Sequence, residues 1–181
     1  MNEVKLIGII GGEQGIDVDS IINSWDLAAE EILLCIDSQG GSVSHGFRLY
    51  DHIETMRSKG QKVHAKIIGE CYSIATVVAC ACDDVAMNKY GLFMIHSPTI
   101  SVEDATSDDL RKCAEMTDKV TDNIAQVYAK KTGRTKEEML TLMQKTAFYN
   151  SKEAQDMKLI DRIYNALGEI RNKWNHFHMA A

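Results

Sequence analysis

The segment EILLCID, residues 31–37, constrains the fold of this chain more than any other stretch. It is an apolar run of strand length that ends in a charged residue on each side. A strand with one face in water would alternate apolar and polar residues, so a run without alternation predicts a strand covered on both faces. Such strands belong to parallel sheets, and two more strand-like segments, VKLIGII at 4–10 and KVHAKIIG at 62–69, lie on either side of it in the sequence. We therefore expect a central parallel sheet.

Helices are predicted between these strands. The residues that recur at gaps of four, three and three, a spacing typical of one helix face, are Val43, Phe47, Tyr50 and Ile53. This spacing predicts a helix that begins at Val43 and ends near Gly60. An earlier helix is predicted to begin at Asp17 or Asp19, either of which can cap it, and to run to about Glu30. Strands that alternate with helices predict an α/β domain.

The second half of the chain continues this alternation. We predict a short helix at about 73–82, strands at 84–88 and 92–96, helices at about 107–131 and 135–144, and a strand, a helix capped by Ser151 and a strand within 147–164. The helix at 107–131 would be roughly 37 Å long, which is longer than a domain core of this size needs. We expect one domain over residues 1–181, with its core at about 4–164 and a weakly patterned tail at 171–181.

The composition argues against several classes of protein. A net charge of −6 and a pI near 5.5 do not suit a general nucleic-acid binder, which needs a basic face. No window approaches the ~18 apolar residues of a membrane span, and the N-terminal stretch does not have the pattern of a signal peptide. Five cysteines, an odd number, fit a reduced compartment better than a disulfide framework. We expect a cytoplasmic protein with no membrane partner.

Three short segments carry residues that can do chemistry. In DSQGGSV, 37–43, two glycines between a strand and a helix either present N–H groups to an oxyanion or form only a tight turn. In GECYSIAT, 69–76, Ser73 is either a nucleophile or a helix N-cap. In FMIHSP, 93–98, His96 is either a base or a structural histidine. Nucleotide-binding glycine patterns and metal-ligand spacings are missing, so we expect no cofactor and no metal.

These three segments, together with AFYNSKEAQDMKLID at 147–161, resemble the Clp protease proteolytic subunit family. That family has an S-x-G-G-S-V segment, then G-x-x-x-S-x-A, then M-I-H-x-P, then a block of F-x-[ST]-x-x-E-A…L-[IV]-D character. All four occur here in that order, and the similarity runs from about Val4 to Tyr164. The resemblance implies a crotonase-like spiral of βαβ units, with the helix at 107–131 as a protruding handle that packs ring against ring.

The resemblance also implies a serine endopeptidase. By position, Ser73 would be the nucleophile, His96 the general base, and the N–H groups of Gly41 and Ile74 the oxyanion hole. The implied partners are copies of the chain itself in a homo-oligomeric ring, either a heptamer or a stacked pair of heptamers, and a peptide or protein substrate.

This sequence departs from the family pattern in its third catalytic position. The family has an aspartate two residues before Phe148, where this chain has Thr146, and QKTAFYN contains no acid. Three alternatives stay open: Thr146 is the third member and orients His96, an acid such as Glu103 or Asp104 comes from elsewhere, or activity is weak.

The start of the chain is a second departure. It begins almost at the first predicted strand, so we expect the family's N-terminal segment, which contacts the ATP-driven unfoldase, to be absent or minimal. Whether an AAA+ unfoldase docks therefore stays open. The short N-terminus resembles the phage and prophage Clp-like proteases that process capsid proteins.

Two alternative functions stay open at this point. A crotonase-like acyl-CoA enzyme would share the fold and the oxyanion hole, although the order and spacing of Ser73 and His96 argue against it. A catalytically weak or inactive ring-forming scaffold, derived from a Clp protease, would be compatible with Thr146. Neither alternative needs a nucleophilic Ser73, so reaction with a serine-directed fluorophosphonate would separate both from a peptidase.

Overall fold

The computed structural model describes residues 1–165, in which strands and helices alternate as the sequence predicts. The strands are β1 Asn2–Ile10, β2 Glu31–Gly41, β3 Lys62–Tyr72, β4 Asp84–Asn88, β5 Leu92–Ile95, β6 Ala147–Asn150 and β7 Arg162–Tyr164. The helices are α1 Val18–Asn23, α2 Val43–Ser58, α3 Ile74–Cys80, α4 Ser107–Thr132, α5 Lys136–Gln144 and α6 Ser151–Asp156. The predicted tail at 171–181 lies outside the described residues.

Five strands form a parallel sheet in the order β1-β2-β3-β4-β7. Strand β3 is long enough to have two partners on one side: residues 64–67 pair with β4, and residues 70–72 pair in parallel with β5. Strand β5 pairs in turn with β6, antiparallel. The sheet therefore divides at the end of β3, immediately before Ser73.

The apolar run at 31–37 is a buried strand, as predicted. Ile32, Leu34 and Ile36 of β2 are at most 1% exposed. Leu49 and Ile53 of α2 are at most 2% exposed, and these residues belong to one hydrophobic cluster that also includes most of α3. Burial on this scale is the main term that stabilises the sheet against its helices.

Helix α4 extends beyond this core. A capping box between Thr106 and Asp109 begins it, and Gly133, with a left-handed φ of 72°, ends it. Its buried residues, Ile124, Ala125, Tyr128 and Thr132, all lie in its C-terminal half. In its N-terminal half, Leu110 and Met116 are each 51% exposed. The helix predicted at 107–131 is thus present, and half of it projects past the core.

None of the helices in residues 1–165 is both long enough and apolar enough to cross a membrane.

The first helix is much shorter than the predicted one, which ran to Glu30. Trp25 turns into the core, where it is 4% exposed, and its Nε1 donates to Oε1 of Gln61 at 3.1 Å. The amide of Gln61 also donates to the carbonyls of Asp26 and Ala29. These long-range bonds hold residues 24–30 as a turn, a choice that local propensity does not reveal.

The helix predicted to be capped by Ser151 is capped by Asn150. The side chain of Asn150 accepts from the N–H of Glu153, and the Glu153 carboxylate accepts from the N–H of Asn150. The hydroxyl of Ser151 donates instead to the carbonyl of Lys89. Asparagine and serine are both good caps, and Asn150 is the cap here because β6 ends at Asn150 and α6 begins at the next residue.

Candidate active site

Ser73 lies in the sharp turn between β3 and α3, residues 72–74, which we call the Ser73 turn. Its backbone has φ 55° and ψ −131°, a conformation that side-chain-bearing residues rarely adopt and that costs about 1–3 kcal/mol. Its N–H donates to the carbonyl of Met94 at 2.9 Å. Its side chain makes no hydrogen bond to the first turn of α3, so Ser73 does not act as a side-chain N-cap.

His96 immediately follows β5 and meets Ser73 across the fork in the sheet. Its Nε2 lies 2.8 Å from the Ser73 Oγ, although 23 residues separate the two in the chain. The two are neighbours because Tyr72 pairs with Met94, which aligns the ends of β3 and β5. Burial of the imidazole lowers the pKa of His96 below its ordinary value of 6.5. The ring is therefore neutral at neutral pH and can accept a proton from the serine hydroxyl.

Neighbouring atoms lie so close to the end of β2 that glycine is required at both Gly40 and Gly41. A Cβ on Gly40, which has φ 90°, would lie 2.7 Å from the Cβ of Ser73 and 3.2 Å from the N of Ile74. A Cβ on Gly41, which has φ 143°, would lie 2.4 Å from the carbonyl oxygen of Ile10. The glycine pair therefore fits tightly between β1 and the Ser73 turn.

Ser38 helps to build this region, although the sequence pointed only to the glycines that follow it. The buried hydroxyl of Ser38 donates to the Gly8 carbonyl at 2.6 Å and accepts from the N–H of Gly40 at 3.1 Å. It thereby ties the glycine pair to β1. The adjacent glycines were the only signal in the sequence that could have pointed to Gly40.

Thr146 lies in the turn between α5 and β6, close in register to His96. Strands β5 and β6 pair Ile95 with Ala147, so His96 and Thr146 are the next residues beyond that pair. Thr146 is exposed and has a positive φ of 52°. In residues 1–165, His96 has Ser73 as its hydrogen-bond partner and makes no hydrogen bond to Thr146.

The loop acids that the sequence offered as alternatives are also not bonded to His96. Glu103 and Asp104 are both exposed, in the loop that leads to α4. Burial is the cause of the lowered His96 pKa, and the described residues show no hydrogen bond or ion pair between His96 and an acid. In the described part of the chain, the position that would orient His96 therefore has no acid. Nor does that part contain a group of three or more histidine, cysteine or acidic side chains that could hold a metal ion.

A cleft of about 320 Å³ adjoins the glycine pair. It is lined by Gly41, Ser42, Val43, Ser44, Pro98, Thr99, Ile100, Met116, Thr117 and Val120. None of these side chains is charged, and α4 contributes one wall through its exposed N-terminal half. A larger cavity of about 470 Å³ lies between the C-terminal ends of α2, α3 and α4, and neither Ser73 nor His96 lines this cavity or the cleft.

Comparison with known proteins identifies the family and the fold. The sequence pattern of the Clp protease family matches residues 24–166, well over half of the chain. The chain belongs to the Clp protease family. A ClpP1 mutant from Listeria monocytogenes has a similar structure, with a TM-score of 0.78 over 92% of each chain at 19% sequence identity. At that identity the similarity shows the fold, and it confirms the predicted Clp-type α/β fold.

Proposed function

We propose that this member of the Clp protease family is a serine endopeptidase in which Ser73 is the nucleophile and His96 the general base. The observation that carries the proposal is the 2.8 Å contact between the Ser73 Oγ and the His96 Nε2. A serine is a weak nucleophile until an adjacent base removes its proton, and a half-buried neutral imidazole at this distance can do so. The unusual backbone of Ser73 supports the same role, because such strain is concentrated at functional sites.

The proposed reaction proceeds in two halves. Ser73 Oγ attacks the carbonyl carbon of the scissile peptide while its proton passes to His96 Nε2, and the N–H groups of Gly41 and Ile74 donate to the oxyanion that forms. His96 then gives that proton to the leaving nitrogen, the peptide bond breaks and an acyl-enzyme remains. In the second half a water molecule loses a proton to His96 and attacks the ester carbonyl. The ester C–O bond then breaks, His96 returns the proton to the Ser73 Oγ, and the new carboxylic acid ionises on release.

The cleft beside Gly41 supports a peptide as the substrate. Its walls run from the glycine pair to the residues after His96, and they carry no charge. We propose that an uncharged side chain of the substrate enters this cleft while the backbone lies along the glycine pair. The family membership favours this substrate over the acyl-CoA thioester of a crotonase-like enzyme.

We propose that the working form is a ring of identical chains in the cytoplasm. The exposed apolar residues of α4 support self-association, since patches of this kind mark interfaces. A role in capsid processing and the docking of an AAA+ unfoldase are two further proposals about the partners of this chain.

A serine-directed fluorophosphonate tests the catalytic proposal. Intact mass after treatment should show one adduct on the wild-type chain and none on Ser73→Ala. An adduct on the buried neighbour Cys71, or no adduct on a folded sample, would contradict the proposal. The second outcome would favour a ring-forming scaffold, a candidate that the missing acid beside His96 supports.

A further inference from the structure

A chain of two hydrogen bonds joins the buried half of α4 to the Ser73 turn. Thr76, in the first turn of α3, donates to the Ser73 carbonyl with its N–H at 3.0 Å and with its hydroxyl at 2.5 Å. The Thr76 hydroxyl also lies 2.6 Å from the phenol oxygen of Tyr128, 52 residues further along the chain. Thr76 is 0% exposed and Tyr128 is 1% exposed, so water does not compete for these groups.

The directions of these bonds follow from counting protons. A carbonyl only accepts, so the single proton of the Thr76 hydroxyl is donated to the Ser73 oxygen. The phenol of Tyr128 must then donate its own proton to the Thr76 Oγ1. Burial raises the pKa of Tyr128 well above its ordinary value of 10.0, so the phenol keeps that proton. Successive bonds of this kind polarise and strengthen one another.

The Thr76 contact alone would not be informative. Threonines in helices often bond to a carbonyl three or four residues earlier. The phenol is different, because it reaches Thr76 from another helix and, in the described part of the chain, has no other hydrogen-bond partner.

We propose that Thr76 and Tyr128 are positioning residues that keep Ser73 in its strained conformation with its hydroxyl on His96. A strained residue persists only where its surroundings over-determine it. Met94 holds the N–H of Ser73, and Thr76, steadied by Tyr128, holds its carbonyl. The proposal rests on the proposed function insofar as it assigns that geometry to catalysis.

The test uses three variants of the full chain and two readouts. Thr76→Val replaces the hydroxyl with a methyl group of similar shape, and Tyr128→Phe removes the phenol hydroxyl. Thr76→Ser keeps the hydroxyl and removes only the methyl group. We expect the maximal rate of fluorophosphonate labelling to fall about tenfold in Thr76→Val and about threefold in Tyr128→Phe, and to stay near wild type in Thr76→Ser. The concentration for half-maximal rate should not change, because neither residue lines the cleft beside Gly41. Crystal structures of the variants should show Ser73 relaxed from its positive φ, or its Oγ displaced from His96.

Two matched controls separate positioning from general stability. Thr132→Val removes another buried hydroxyl of α4, which donates to the Tyr128 carbonyl, and Tyr164→Phe removes another buried phenol, which donates to Ile67. Both controls should lose stability and still label at the wild-type rate.

Each outcome decides the proposal. If Thr76→Val and Tyr128→Phe label as fast as the controls, or label slowly with Ser73 unmoved, the proposal is overturned. If Thr76→Val fails to fold, the comparison of Tyr128→Phe with Tyr164→Phe decides in its place. If the wild type does not label at all, the proposed function fails, and the conformation of Ser73 in the variant crystals alone decides whether Thr76 and Tyr128 hold it.

Discussion

At the scale of single residues, three of the candidate site residues have backbone conformations or environments that local chemistry disfavours. Ser73 and Thr146 both have positive φ, at 55° and 52°, although neither is a glycine. His96 is half-buried without a charged partner in residues 1–165. Each of these features has a consequence that can be measured.

The first prediction concerns Thr146, which occupies the position of the family's aspartate. We expect Thr146→Asp to raise kcat/KM on a small fluorogenic peptide roughly tenfold, because a carboxylate that reaches His96 Nδ1 stabilises the imidazolium by about 1–2 kcal/mol more than a neutral hydroxyl does. The backbone favours the change, since aspartate tolerates a positive φ far better than a β-branched threonine.

Thr146→Asn is the matched control for that prediction, because it has the same shape and backbone preference as aspartate without the charge. It should leave kcat/KM near the wild-type value. If Thr146→Ala equals wild type and Thr146→Asp gains nothing, Thr146 does not orient His96, and the loop acids become the candidates. Asp104→Ala would then abolish activity.

The second prediction concerns pH. Burial disfavours the imidazolium of His96, so the neutral base persists to a lower pH than for an exposed histidine. The rate of Ser73 labelling should be constant at neutral pH and fall on acidification, with a midpoint below 6.5. Circular dichroism over the same range would identify any unfolding. A midpoint above 6.5 would mean that a carboxylate faces His96 after all.

At the scale of elements, the site is assembled where strand ends converge. Strand β2 ends in the glycine pair, β3 ends at the Ser73 turn and β5 ends at His96. The three ends meet because β3 pairs with β2 on one side and with β5 on the other. Chemistry at the carboxyl ends of parallel strands is the usual arrangement in α/β proteins.

The third prediction tests this convergence at Gly40. Gly40→Ala should lower the free energy of unfolding by about 2–4 kcal/mol and abolish labelling, since the new Cβ would lie 2.7 Å from that of Ser73. Gly60→Ala is the matched control: Gly60 has a similar φ of 98° but nothing within 4 Å of the added carbon. It should lose only about 1 kcal/mol and keep its labelling rate. Equal losses in urea melts of the two variants would contradict the close approach at Gly40.

At the scale of the whole molecule, one half of α4 belongs to the core and the other half does not. The N-terminal half of α4 buries none of its residues, and the capping box at Thr106 stabilises the first turn of that half. Its apolar side chains are therefore available to another copy of the chain. The same half of the helix supplies Met116 and Thr117 to the cleft beside Gly41, so the exposed apolar surface of α4 and the cleft share residues.

The fourth prediction is that this surface holds the oligomer together. Light scattering at micromolar concentration should give the mass of a ring, most simply a heptamer or a stacked pair, for the wild type. Leu110→Glu combined with Met116→Glu should shift the mass towards the monomer, because two buried charges at an interface are strongly unfavourable. Lys112→Glu, on an exposed position of the same helix, is the control and should leave the mass unchanged. A monomeric wild type would contradict the prediction.

The order of elements and the chemical types of the site residues were readable from the sequence. Apolar periodicity is a local property, so the buried strand at 31–37, the helix from Val43 and the long helix of α4 could be predicted without a structure. Ser73 and His96 became candidates because each stands at a strand end, within short segments that resemble those of the Clp protease family, and their catalytic roles stay predictions.

The tertiary structure alone decided the rest, because the remaining features depend on contacts between residues far apart in the chain. Trp25 and Gln61 end the first helix early across 36 residues. The fork of β3 brings Ser73 and His96 to 2.8 Å, and Tyr128 reaches Thr76 from another helix. A positive φ at Ser73 has no signature in residue type. Local propensities act over a few residues, and only packing determines which distant groups meet.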